Sequence, residues 1–184
     1  MIRSRAAFRP VKAQDFERAM VFIDGTNLFH RLRAAKLKIK EQGLLRLANT
    51  VVSNRPIVRT YLYTSPPHLE RANIEYAANF DQDVRVVRGE AIKTKDGNYK
   101  EKGVDAMLVA DLVYHAAVRN FEFAVLISVD TDFAQALRRV EDFGCRTAVV
   151  GLCAEVPRLL RETADQVITF DADDLNRISV TEPL

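Results

Sequence analysis

Three short stretches carry side chains that could do chemistry together: Val21-Phe22-Ile23-Asp24-Gly25-Thr26-Asn27, Lys102-Gly103-Val104-Asp105 and Ser128-Val129-Asp130-Thr131-Asp132-Phe133. Each supplies aspartate, and none supplies a thiol or an imidazole. Acids that converge on one point repel one another unless a cation sits among them. An oxygen-only donor set suits a hard divalent ion, Mg²⁺ or Mn²⁺. Such ions act on phosphates, activating a water and stabilising charge on the phosphoryl oxygens.

Each acid also has an ordinary explanation. Asp24-Gly25 is a common turn pair. Asp105 falls in the first turn of an expected helix, where the helix dipole favours a carboxylate by about 0.3–1 kcal/mol. Asp132, with Gln135 three residues later, fits a capping box. Asp130 lies before that cap and has no comparable structural duty, so Asp24 and Asp130 lead the functional candidates. Asp111 stands about 120° around the helix from Asp105 and roughly 9 Å along it. A pair with His115 at i+4 would account for it, whereas burial in so apolar a helix would turn it toward the cluster; it is a secondary candidate.

The elements that must position these acids follow from periodicity. An apolar strand over 19–24 runs into a helix over 27–36, whose distal end carries Arg31, Arg33, Lys36, Lys38 and Lys40. A short apolar-periodic helix over 44–54 precedes a strand over 57–63, and a helix over 68–80 follows Ser65-Pro66-Pro67. A strand over 84–88 leads to a β-hairpin turning at Asp96-Gly97. Then come a strongly apolar helix over 104–118, a buried-type strand over 123–128 and a helix over 133–143. A strand over 147–150, a helix over 156–163, a strand over 167–170 and a short helix capped within Asp171 to Asp174 complete the pattern. Strands alternating with helices at this spacing predict an α/β fold, a mainly parallel sheet with helices on both faces. In such sheets ligands bind at the carboxyl ends of the strands, where Asp24 and Asp130 would stand. The organisation expected is a basic extension over 1–18, one domain over 19–178 and a C-terminal tail over 179–184.

Lys93, Lys95, Lys100 and Lys102 line the hairpin with Tyr99 among them. They form either a solvated, aggregation-resistant edge or an arm that grips phosphates. A chain of 184 residues with 48% hydrophobic content is long enough for a proper core. No apolar run reaches the 18 residues of a membrane span, and the basic N-terminus lacks the apolar stretch of a secretory signal. Cys145 and Cys153 lack metal-type spacing and read as reduced thiols of a cytoplasmic protein. A net charge of +2 does not argue nucleic-acid binding from composition alone. His30, His68 and His115 are scattered, and neither a phosphate-cradling Gly-x-x-x-x-Gly-Lys-Ser/Thr loop nor a Gly-x-Gly-x-x-Gly fingerprint occurs.

Taken in order and spacing, the three stretches, with Asp111, resemble the NYN domain family (LabA-like proteins), a branch of the PIN-like, metal-dependent nucleases. The resemblance covers roughly residues 19–170 and implies a Rossmann-like, PIN-like sheet that holds Mg²⁺ or Mn²⁺ at its carboxyl edge and cleaves RNA. By position, it implies that Asp24, Asp105 and Asp130 are the metal-site carboxylates, that Asp132 completes the cluster, and that Asn27 orients a ligand or Asp24. Lys102 would contact a phosphate, with Arg31, Arg33, Lys36 and the hairpin lysines positioning the RNA backbone. Val129 stands where the family commonly has Gly. It is the feature that favours the alternative, a non-catalytic RNA-binding or regulatory module. Nothing in the sequence separates RNA from DNA, and a homo-oligomer is neither required nor opposed.

Overall fold

Residues 19–24 are apolar up to the terminal Asp24, and all of them are buried. That is the composition of a central parallel strand, covered on both faces. The structure, a computed structural model, describes residues 17–40, 42–65, 84–94 and 99–184, with the backbone only of 99–101. The main sheet has six strands: β1 (Ala19–Asp24), β3 (Ile57–Thr64), β4 (Val84–Arg88), β7 (Phe123–Ile127), β8 (Arg146–Leu152) and β9 (Gln166–Phe170). Their order is β4-β3-β1-β7-β8-β9, and every pairing is parallel. The expected α/β, Rossmann-like sheet with helices on both faces is what forms.

The chain begins at β1 in the centre, works outward to β4, and returns through the Val104–Ala117 helix to β7 on the other side. Direction therefore reverses between β1 and β7, and that switch point is where an open α/β sheet leaves a crevice at its carboxyl edge. Alternation along β1 divides the core. Val21 and Ile23 pack with Leu28, Leu32, Leu44 and Leu47 on one face, while Met20 and Phe22 pack with Leu108, Leu112, Leu137 and Leu160 on the other.

Two smaller sheets complete the described residues. β5 (Glu90–Lys93) and β6 (Tyr99–Lys102) form the expected antiparallel hairpin, although its Asp96-Gly97 turn lies outside the described residues. β2 (Leu37–Ile39) pairs antiparallel with β10 (Thr181–Pro183), a strand within the C-terminal tail. This corrects one expectation: Lys38 lies in a strand beside Glu182 at 3.1 Å and not at a helix end. The helix expected over 68–80 and the extension through residue 16 lie outside the described residues. Among the described residues no helix is long and apolar enough to cross a membrane.

The first helix runs Gly25–Ala34, two residues earlier than its periodicity predicts. It can start there because residue 25 has no side chain: a Cβ would meet the Tyr63 carbonyl oxygen at 2.7 Å and Thr64 Cβ at 2.9 Å. Gly25→Ala is expected to destabilise the fold by about 1–3 kcal/mol through this overlap. Urea denaturation checks it, and an unchanged midpoint would show that the helix start has room to move.

Candidate functional site

Asp24 ends β1 at the switch point and is 4% exposed. Its side chain caps the Gly25–Ala34 helix, accepting the Asn27 N–H at 3.0 Å through Oδ1. Oδ2 accepts the Ser128 hydroxyl at 2.9 Å, and the same Ser128 Oγ accepts the Asp130 N–H at 3.1 Å. One hydroxyl thus joins the ends of β1 and β7 across the crevice. Burial pushes the Asp24 carboxyl above its usual range, the bonds from Asn27 and Ser128 pull it back, and the charges of Asp105 and Asp130 push it up again. Asp105 and Asp130 are therefore each within electrostatic reach of Asp24.

Asp105 is exposed in the first turn of the Val104–Ala117 helix. Gly103 introduces that helix with φ +82°, a left-handed conformation in which glycine carries no side-chain penalty. The third stretch differs from its expected capping. A 3₁₀ turn, Thr131–Phe133, precedes the Ala134–Asp142 helix, and its cap is Asp130, whose Oδ1 accepts the Asp132 N–H at 3.0 Å. Asp130 thus has the structural duty that Asp132 was expected to perform, and the Asp132 side chain is exposed. Because the tight turn brings the second N–H round to the cap, the i+2 contact displaces the i+3 capping box.

Asp111 and His115 do not form the expected i+4 pair. Asp111 Oδ2 accepts the Tyr63 hydroxyl at 2.9 Å, while His115 contacts Tyr61 Oη through Nε2 at 3.1 Å and the Asn120 amide through Nδ1 at 2.7 Å. Arg31 and Arg33 lie in the last turn of the helix that Asp24 caps, roughly 10 Å along its axis from the carboxylate. Lys36 is exposed beyond that helix at φ 58°. The fold sets this basic group apart from the acids. Lys102 and Lys93 are exposed, Lys95 is outside the described residues, and of Lys100 the backbone alone is described.

Val129 is 6% exposed and turns into the apolar cluster with Phe133 and Val156, its Cγ1 3.4 Å from where a Cβ on Gly151 would stand. Ser128, which holds Asp24 and Asp130 together, is the residue of this candidate site that sequence reasoning did not single out. Its only signal was a hydroxyl closing an otherwise apolar buried strand. Among the described residues no three acidic, imidazole or thiol side chains stand ready to share a metal ion. The donor chemistry nevertheless fits a hard cation: carboxylates and one hydroxyl, with the buried carboxylate destabilised by its acidic neighbours.

The chain belongs to the NYN domain family, whose model matches residues 18–174. That family consists generally of nucleases and ribonucleases. No curated protein is similar enough to count as a match. Among solved structures, the chain is similar to VPA0982, a protein of unknown function from Vibrio parahaemolyticus. The identity is 18%, the TM-score is 0.68, and the match spans 89% of this chain and 99% of that one, a likeness of fold. A weaker likeness to UGT73P12 of Glycyrrhiza uralensis, with TM-score 0.39 and 8% identity over 74% of this chain and 28% of that one, carries no argument.

Asp24→Asn keeps an acceptor for the Asn27 N–H and removes the buried charge. Because the folded protein holds the Asp24 proton more tightly than the unfolded chain, its stabilising contribution is complete at low pH and is lost as pH rises through the folded value. The variant is therefore expected to melt a few degrees higher at pH 7, since about 1 kcal/mol moves Tm by about 2–4 °C at this size. That gain should shrink on acidification. A calorimetric pH series checks this, and a lower Tm at neutral pH would show that the charge is compensated. Ser128→Ala is expected to cost about 1–3 kcal/mol at pH 7 by stranding the Asp24 carboxylate and the Asp130 N–H. Chemical denaturation reads that loss.

Proposed function

We propose that this protein is a Mg²⁺- or Mn²⁺-dependent ribonuclease of the LabA-like, PIN-like branch of its family. The observation that carries the reading is the carboxylate of Asp24, raised first by its burial at the switch point and further by the charges of Asp105 and Asp130. A protein gains nothing in stability by gathering acids in this way, and a bound cation would relieve the repulsion. Asp24, Asp105 and Asp130 would hold the ion and Asp132 would complete the set. When bound, the ion would activate a water and neutralise charge on the phosphoryl oxygens for hydrolysis of a phosphodiester.

The remaining roles belong to the chain itself. Ser128 fixes the rotation of the Asp24 carboxylate and the position of Asp130 through one oxygen. The Asn27 N–H holds the other Asp24 oxygen. Lys102, directly before Gly103, and the Lys93, Lys95 and Lys100 arm would position phosphates without reading bases. Arg31 and Arg33 would reach only a more distant part of the strand. The free Cys145 and Cys153 agree with a reducing compartment, and the cytoplasm is the location proposed.

A second reading, a non-catalytic RNA-binding or regulatory module, draws on the acids not being gathered as a ready metal set among the described residues. Cleavage of single-stranded RNA and DNA in Mn²⁺ separates the readings. The nuclease account expects RNA cleavage that falls at least 100-fold in Asp24→Asn and Asp130→Asn, and a Mn²⁺-induced rise in Tm that both variants lose. RNA binding without cleavage or metal response would establish the second reading, and cleavage of DNA alone would replace the substrate.

A further inference from the structure

A cleft of about 440 Å³ opens between β3–β4 and the Val104–Ala117 helix, with Tyr61, Arg85, Val87, Asp111, Tyr114 and His115 among its lining residues. It is of the size that takes small ligands. It lies on the face of the sheet that Tyr61, Tyr63 and Phe22 share, the face to which alternation also assigns Asp24. Asp105 and Asp111 belong to the same helix, roughly 9 Å apart along it, and Met107 between them also lines the cleft, which therefore extends toward the acidic edge.

We propose that this cleft holds a nucleobase of the substrate strand and prefers guanine; the inference rests on the nuclease reading for its substrate class. Its polar groups are held in place from behind. Tyr63 donates to Asp111, and burial together with the Asp111 charge pushes the Tyr63 hydroxyl far up, so it remains a donor. With the Asn120 amide donating to Nδ1 of His115, the ring proton lies on Nε2 and points to Tyr61 Oη. Burial holds the imidazole below its ordinary value and so keeps it neutral.

Among the described residues the front of the cleft is open. Tyr114 is 59% exposed, its ring 5.3 Å from that of His115, and it offers a face on which a base can stack. Arg85 is exposed, with its guanidinium 5.9 Å from the Tyr61 ring centroid. A carboxylate has about four lone-pair sites, so Asp111 can accept further N–H groups beside the Tyr63 bond. Guanine presents two adjacent N–H donors, N1 and N2, to a carboxylate, and its O6 and N7 acceptors match a guanidinium fork. Adenine lacks a ring N–H on that edge, and uracil lacks the amino group.

Binding of GMP, dGMP, AMP, CMP and UMP to the full chain, followed by tyrosine fluorescence without added metal, tests the proposal. GMP is expected to bind at least tenfold more tightly than AMP, CMP or UMP. Tyr114→Ala should weaken every nucleotide by about tenfold or more, and Arg85→Gln or Asp111→Asn should abolish the guanine preference. Tyr114 and Arg85 are exposed, so those variants read the cleft without disturbing the core. Equal affinities for the five nucleotides, no binding, or wild-type affinity in Tyr114→Ala would overturn the proposal. Equal affinity for GMP and dGMP assigns the base alone as the ligand, and a GMP advantage adds the ribose hydroxyl. Guanine preference without RNA cleavage retires the nuclease reading and leaves the cleft standing; cleavage without base preference does the reverse.

Discussion

The hydrogen bond from Ser128 to Asp24 is the constraint on which the site depends. It spans the switch point of the strand order, and it ties together the carboxyl ends of two neighbouring parallel strands through their side chains. Without it, Asp24 would be a buried carboxylate held by a single backbone N–H, and Asp130 would lose the acceptor for its own N–H. Both effects would fall on the crevice. Asp24 and Ser128 are buried at this junction, so a charge acting on Asp24 is felt there more strongly than at the surface.

The same helix serves two regions of one face. Its first turn brings Asp105 to the carboxyl edge, introduced by Gly103 in a left-handed conformation. Further along, Asp111 and His115 are fastened to the two tyrosines of β3, and stacked Phe22, Tyr61 and Tyr63 carry that contact across the sheet. A rigid helix therefore fixes the distance between the acidic edge and the cleft beside β4. The basic residues at the far end of the Gly25–Ala34 helix belong to a different part of the surface.

Much of this was legible in the sequence because it rests on local pattern. The uninterrupted apolar runs of β1 and β7, each closing on a polar residue, mark central parallel strands, and the alternation of strands and helices fixes the fold class. That topology puts Asp24 and Asp130 at adjacent strand ends, with Asp105 near enough to act on Asp24 electrostatically. What could not be read depends on partners distant in the chain or on fine turn geometry. Asp111 pairs with Tyr63 of another strand, and Leu37–Ile39 finds Thr181–Pro183 from the opposite terminus. The sequence pattern assigns the cap to Asp132, and the 3₁₀ turn gives it to Asp130 instead. Val129 stands beside the acids where the family commonly has Gly, and its side chain packs in the core.

The central claim is that Asp24 is held in an electrostatically costly position that a divalent cation would relieve. Carbon-13 NMR titration of the aspartate carboxyls, with and without Mg²⁺, measures this directly. The account predicts that Asp24 titrates above the ordinary aspartate range in the free protein and moves down when Mg²⁺ is added. A titration in the ordinary range, or a raised one that Mg²⁺ leaves unmoved, would contradict it.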